Sequence, residues 1–251
     1  MTSQNALITG NSSGLGKGLT QALLNKNYHV YGCSRQGCRL TGAISDIYCD
    51  LNDFESIAAT LQQLLKSVSH LDLVILNAGI LGELKNMRDT SLEELQAVMN
   101  INVWANKIIF DYLLSSGITI KQILLISSGA AVLGNKGWGA YALSKSALNM
   151  LGRLYAHEFN DTHIMSIAPG LVASQMMDYL CTEADSTEFP ALQRIQKAQQ
   201  DGKVLSCEQA ASRILTALPH LKNYPSGSFI DLRQILAPDE YAELMQTRNS
   251  S

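Results

Sequence analysis

The sequence predicts an α/β domain built on a doubly wound, seven-stranded parallel sheet with helices on both faces. Seven apolar runs of strand length recur along the chain, at 5–9, 29–33, 46–49, 71–76, 122–126, 165–168 and 227–231. Between most of them, apolar residues return every three or four positions, the period of a helix with one buried face. The first run ends in a glycine-rich turn, Gly10-Asn-Ser-Ser-Gly14-Leu-Gly16, that leads directly into a helical stretch. Strands separated by helices are joined by crossovers, which lay neighbouring strands parallel.

At 251 residues and 46% hydrophobic content, the chain suits one large domain spanning 1–251. A net charge of −3 offers no electrostatic footprint for nucleic acid or an anionic membrane. The five cysteines, Cys33, Cys38, Cys49, Cys181 and Cys207, are an odd count without metal-site spacing. They read as reduced cytosolic thiols, and no metal is expected. The opening Met-Thr-Ser-Gln lacks the basic start and apolar run of a secretion signal. No apolar run approaches membrane-spanning length, so a cytoplasmic location is expected.

In chain order, the run at 5–9 enters the glycine turn, and 17–25 has helical periodicity. Strand, glycine turn and helix are the context that a dinucleotide fingerprint requires. Glycines let the backbone approach a pyrophosphate, and the helix start offers unpaired N–H groups and a positive dipole end. Gly10, Asn11, Ser12, Ser13, Gly14, Leu15 and Gly16 are therefore candidate cofactor residues. The second run ends at Ser34-Arg35, a position that chooses between the two nicotinamide dinucleotides. An acidic residue there would accept the ribose hydroxyls and favour NAD. Arg35 can instead fork onto a 2′-phosphate, with Ser34 beside it, which points to NADP(H).

The third run is followed by Asp50-Leu51, and 54–68 reads as an amphipathic helix. The fourth run leads into Asn77-Ala78-Gly79. Ser91 opens a long helix to about 115 with Glu94 three residues on, a capping-box pattern. Inside that helix lies Asn100-Ile-Asn102-Val103, where asparagine is mildly unfavourable and implies a local reason. The fifth run ends at Ser127-Ser128, and a helix is expected over 142–159. Tyr141 and Lys145 stand four apart at its start, on one face. A phenol with a pKa of about 10 is a poor acid–base group at neutral pH. A neighbouring ammonium favours the phenolate by at most roughly 4 kcal/mol at 4 Å, which would bring the tyrosine into range. A serine hydroxyl nearby can hold the oxygen that gains or loses the proton. The sixth run precedes Pro169-Gly170 and Ser174. The segment 175–204 is the least regular, and a lid or binding loop is expected over 175–205. A helix over 207–218, the last strand and a polar tail after Pro238 complete the chain.

Five motifs in order, Thr9–Gly16, Asn77–Gly79, Asn102, Ser128 with Tyr141 and Lys145, and Pro169–Ser174, resemble the short-chain dehydrogenase/reductase family over nearly the whole chain. The resemblance implies strand order 3-2-1-4-5-6-7 and a site at the carboxyl ends of the strands. It implies Asn102, Ser128, Tyr141 and Lys145 as catalytic residues, with Asn100 competing for the place of Asn102. The Asn102 backbone carbonyl would hold a water that links Lys145 to solvent. Asp50 would contact the adenine amino group, its other reading being a helix cap with Asn52. Asn77, Ala78 and Gly79 would border the cofactor ribose. Lys145 would hold the nicotinamide ribose, and Ser174, with Pro169, Gly170 and the Ile167 backbone, would meet the carboxamide. Subunits of the family pair through the helices here at 91–115 and 142–159, so a homodimer or homotetramer is expected.

Shorter segments, Ser226-Gly-Ser-Phe-Ile-Asp231 and Lys203-Val-Leu-Ser-Cys-Glu, resemble the sepiapterin and benzil reductase group. The expected activity is NADPH-dependent reduction of a ketone or aldehyde. The alternatives are an NAD-linked alcohol dehydrogenase and a non-catalytic NADP(H)-binding regulator. Substrate-pocket walls are expected from Leu133, Trp138, Leu171, Met176, Met177 and Tyr179 around Ser128. None is charged, which suits a neutral carbonyl compound, because burying an anion without a cation is costly.

Overall fold

The computed structural model describes residues 4–249. Its strands are β1 (Gln4–Thr9), β2 (Tyr28–Ser34), β3 (Ile44–Tyr48), β4 (His70–Leu71), β5 (Leu73–Leu76), β6 (Thr119–Ile120), β7 (Gln122–Ile126), β8 (His163–Ala168) and β9 (Ser228–Asp231). Seven of them form one parallel sheet in the order β3-β2-β1-β5-β7-β8-β9. Counted as main-sheet strands, this is the expected order 3-2-1-4-5-6-7. The expected run 71–76 is divided at Asp72. Leu71 pairs with β6 in a separate two-stranded ribbon, and Leu73 onward joins the main sheet. Asp72 accepts from Asn5 N at 2.8 Å and from Lys121 Nζ at 2.6 Å, so its bonds tie β1 to the start of β7 at that break.

The helices are α1 (Gly14–Asn25), α2 (Phe54–Leu64), α3 (Leu92–Met99), α4 (Ala105–Ser115), α5 (Ala130–Leu133), α6 (Gly139–Tyr155), α7 (Gln175–Thr182), α8 (Pro190–Gln200), α9 (Cys207–Leu221), α10 (Arg233–Leu236) and α11 (Pro238–Asn249). Strand alternation sorts the core into two layers. Leu7, Val74, Leu76, Ile123 and Leu125 pack with residues of α2, α4 and α6. Ala6, Ile8, Leu73, Ile75 and Leu124 pack with α1 and α9. Burial on both faces explains why these strands read as continuous apolar runs.

Two expectations about elements are corrected. The helix expected over 91–115 is divided by a π turn at Asn100–Trp104, between α3 and α4. Segment 175–204 is not irregular; its polar break at 183–189 separates α7 from α8, which Pro190 opens. The tail after Pro238 forms α11. The Ser91–Glu94 capping box is present as expected. Among the described residues, no helix is long and apolar enough to cross a membrane, and no group of three metal-ligating side chains gathers. All five cysteines are free.

Candidate active site

The carboxyl ends of β1, β5 and β7 meet at one place, and backbone polarity holds them there. The Thr9 hydroxyl accepts from Asn77 N at 3.0 Å and Ala78 N at 3.1 Å. Asn77 Nδ2 returns bonds to Thr9 O at 3.0 Å and Gly10 O at 3.2 Å. This closeness requires two bare α-carbons. A Cβ on Gly16 would fall 2.0 Å from Gly10 O, and Gly10 itself has φ +70. Ser13 precedes α1 but makes no capping bond, so the first N–H groups of the helix face the turn without a side-chain partner. Asn11 Oδ1 and Ser34 Oγ are buried without partners. Ser174 stands against the same turn: a Cβ on Gly14 would lie 3.6 Å from Ser174 Cβ. A glycine cradle, unpartnered helix N–H groups and orphaned buried acceptors fit a bound dinucleotide phosphate and ribose.

Next to this cradle lies a buried polar group. Lys145 is 3% exposed, and its Nζ donates to Ile126 O at 2.8 Å. Tyr141, one helical turn earlier on α6, is 9% exposed, and its ring centroid lies 5.6 Å from Nζ. Asn102 projects from the π turn and clamps Ile80, accepting from its N–H and donating to its carbonyl, both at 2.8 Å. Its Nδ2 also donates to Ser144 Oγ at 2.9 Å, and Ser144 donates to Tyr141 O at 2.8 Å. The Asn102 carbonyl, within the π turn, accepts a side-chain bond from Asn106 Nδ2 at 2.8 Å. A Cβ on Gly79 would lie 3.0 Å from Asn102 Oδ1 and 3.3 Å from Lys145 Nζ, so a bare glycine lets these groups converge.

The structure thus brings Asn102, Ser128, Tyr141, Lys145 and Gly79 together, with the glycine turn and Ser174 on the adjoining side. Asn100 instead accepts from Gln96 Nε2, one helical turn earlier, at 2.6 Å. Asp50 accepts from Asn52 N at 3.0 Å in a turn, while Asp53 holds the position before α2. Leu51 is buried. Arg35 is exposed at the end of β2. Pro169 and Gly170 follow β8, and Gly170 has φ +89. Of the expected pocket walls, Trp138, Met176 and Tyr179 join Tyr141 in one apolar cluster with Phe189 and Leu192. Leu133 packs toward Gly129, Leu171 accepts a backbone bond from Leu205, and Met177 lies beside Cys181. Ser144 and Asn106 were not singled out from sequence, and Thr9 only as the first residue of the glycine motif. Their signals are faint: a hydroxyl at a strand end, one beside Lys145, and an amide four residues after Asn102.

Burial dominates the electrostatics. Lost hydration pushes the Tyr141 phenol up to about 12, against a smaller downward pull from the Ser128 hydroxyl. It brings the Lys145 ammonium down to about 8. The sequence expectation that the ammonium would draw the phenol downward is therefore reversed: the cation faces the ring, and both groups have lost water. For Lys145 the folded value lies below the unfolded one, so between pH 8 and 10.5 the unfolded chain binds more protons and stability rises with pH. Urea unfolding at pH 7 and pH 9 checks this. The stability of the wild type relative to Lys145→Met should rise by about 1 kcal/mol over that interval. Parallel pH dependence in the two proteins would show that the ammonium is hydrated.

Comparison with known proteins agrees with this fold. Residues 4–185 match the short chain dehydrogenase family. A benzil reductase ((S)-benzoin forming) of Bacillus subtilis is 28% identical over 243 residues, covering 92% of this chain and 98% of that protein. A sepiapterin reductase of Xenopus laevis is 29% identical over 72% of each chain. Among solved structures, the short chain dehydrogenase/reductase YIR035C of Saccharomyces cerevisiae superposes with TM-score 0.80 at 20% identity, covering 91% of this chain and 96% of that one. ElxO with NADP bound superposes with TM-score 0.76 at 24% identity, covering 92% and 97%. With the family matched over most of its length and the sheet order to go with it, the chain belongs to the short-chain dehydrogenases and is an oxidoreductase of that family.

Proposed function

We propose that the protein is an NADPH-dependent carbonyl reductase acting on a neutral ketone or aldehyde. The observation that carries this reading is the group of buried Tyr141 and Lys145 with half-buried Ser128 beside the glycine cradle. NADPH would be held by the turn at Gly10–Gly16, by Ser34 and Arg35, by Asp50 and Leu51, by Asn77–Gly79, by Tyr141 and Lys145, and by Pro169, Gly170 and Ser174. When bound, it supplies the hydride for the carbonyl carbon.

Ser128 donates a hydrogen bond to the carbonyl oxygen, and Tyr141 gives that oxygen its proton. A phenol pushed up to about 12 stays protonated at neutral pH, as a donor must. Lys145 holds the nicotinamide ribose. The Asn102 carbonyl accepts one bond from Asn106, and its second lone pair can hold the water that relays a proton toward Lys145. Segment 175–205 acts as a lid: its α8 start places Phe189 against Gly137, two residues before α6. Of the cations on or near this segment, Lys136 pairs with Glu188 at 3.6 Å and Lys197 with Asp201 at 3.7 Å, while Arg194 is exposed, which supports a neutral substrate. The names of the benzil and sepiapterin reductase relatives, and the NADP in ElxO, support the reaction class and the nucleotide.

An apolar stripe along α6, Leu143, Met150 and Leu154, is more than half exposed, and Trp104 and Leu114 stand exposed as well. Such a stripe supports an isologous homodimer or homotetramer through α4 and α6.

Tyr141→Phe should lower NADPH-dependent reduction of neutral diketones, quinones and pterins by about 10²–10⁴-fold, with NADPH affinity unchanged by fluorescence titration. Wild-type turnover in that variant, or a wild-type preference for keto acids, contradicts the mechanism or the pocket. Arg35→Ala should raise the KM for NADPH about tenfold or more and leave that for NADH alone, since a charge-assisted contact is lost. Equal effects on both nucleotides would remove Arg35 from the 2′-phosphate. By sedimentation, Met150→Glu should be smaller than the wild type; a monomeric wild type at micromolar concentration refutes the assembly.

A further inference from the structure

Parallel strands are normally joined by a crossover of a dozen or more residues, usually containing a helix. Here β2 and β3 are joined by 35–43 alone, with no helix. That connection carries Arg35 and Arg39, both exposed. Without a helical ladder, something else must hold its shape. Among the described residues, the one hydrogen bond made by residues 35–41 runs from Cys38 N to Asp46 Oδ2, at 2.8 Å.

The other oxygen of Asp46 accepts from Asn11 Nδ2 at 2.6 Å. Asn11 is fully buried in the glycine turn. A single carboxylate on β3 therefore joins that turn to the short connection. Gly32 on β2 leaves the gap through which they meet. A Cβ there would fall 1.9 Å from Asn11 Nδ2 and 2.7 Å from Asp46 Oδ1. Gly37, at φ +69, turns the connection beside Asp46 Oδ2. With both its oxygens facing N–H donors, Asp46 forms no ion pair with Arg35 or Arg39, and neither arginine has another ion pair among the described residues. The guanidinium charges remain available to an anion, and the hydroxyl of Ser34, which precedes Arg35 in the chain, is buried without a partner.

We propose that Asp46 is a positioning residue for nucleotide choice: it shapes the 35–43 connection so that its arginines meet the 2′-phosphate. The proposal rests on the NADPH reading above. A carboxylate near an adenosine ribose has an opposite possible role, as acceptor for the ribose hydroxyls, which would favour the nucleotide lacking the phosphate. The two roles predict opposite signs.

Adenosine 2′,5′-bisphosphate and adenosine 5′-monophosphate differ only in the 2′-phosphate, and their affinities can be read by calorimetry without turnover. Asp46→Ala should weaken the bisphosphate about tenfold, the loss of one charge-assisted contact, and leave the monophosphate within about twofold. Asp46→Asn, which keeps the shape and one acceptor oxygen, should fall between. Asp46→Ala combined with Arg35→Ala should be little weaker than Arg35→Ala alone, because Asp46 acts through the arginine segment. The unchanged monophosphate affinity also reports an intact fold. Equal weakening of both ligands, no weakening of either, or a bisphosphate bound more tightly by Asp46→Ala would overturn the proposal. A wild type with no preference for the bisphosphate would instead defeat the NADPH reading, and the role of Asp46 with it.

Discussion

A buried ammonium is the constraint on which the rest of this site depends. Lys145 is shielded from solvent and finds one protein acceptor, the Ile126 carbonyl at the end of β7. Removing such a charge from water costs several kcal/mol unless the surroundings compensate. The compensation must come from strands and helices distant in sequence, and each gives up something to be there. Gly79 gives up a side chain so that the lysine can lie against the backbone. Helix regularity is given up at Asn100–Trp104, where the π turn aims Asn102 at Ile80 and Ser144.

The same burial divides the labour of the two titrating groups. Desolvation penalises a charged form whatever its sign, so it moves the phenol and the ammonium toward their neutral states from opposite directions. A tyrosine kept protonated and a lysine near its own titration point together suit proton delivery better than a preformed phenolate. The group is held by a chain of hydrogen bonds: Asn102 bonds both the N–H and the carbonyl of Ile80 and donates to Ser144, and Ser144 donates to the Tyr141 carbonyl. Satisfied buried polar networks specify one arrangement where a hydrophobic core alone would tolerate several.

The nucleotide side obeys a different rule, close approach of backbones. Gly10, Gly16 and Gly32 each sit where a methyl group would strike a neighbouring polar atom or the backbone itself. Their absence of side chains lets the Thr9, Asn11, Asn77 and Asp46 groups bond across strand ends. Away from these glycines the contacts are apolar: the Trp138 and Tyr141 rings lie 6.2 Å apart in a cluster with residues of α7 and α8.

Much of this was legible in the chain. Two-sided burial writes strands as apolar runs, so the seven main strands could be read with boundaries a residue or two off. The glycine turn, the Ser91 cap and the Tyr141–Lys145 spacing are local patterns with local causes, and they are where the sequence placed them. Other features have no local signature. The π turn exists because Asn102 bonds to Ile80, twenty-two residues away. The division of 71–76 follows from Asp72 reaching Lys121 and Asn5. Leu133, Leu171 and Met177 are as apolar as Trp138 and Met176, and only packing separates those that share the Tyr141 cluster from those that do not. Hydrophobic period and turn chemistry are properties of neighbouring residues, so sequence alone determined the sheet, most of its helices and the spacing of Tyr141 and Lys145 on one helix face. Desolvation and long-range hydrogen bonds are properties of what folding brings together. The tertiary structure alone therefore decided which way burial moves Tyr141 and Lys145 and which donors Asp46 meets.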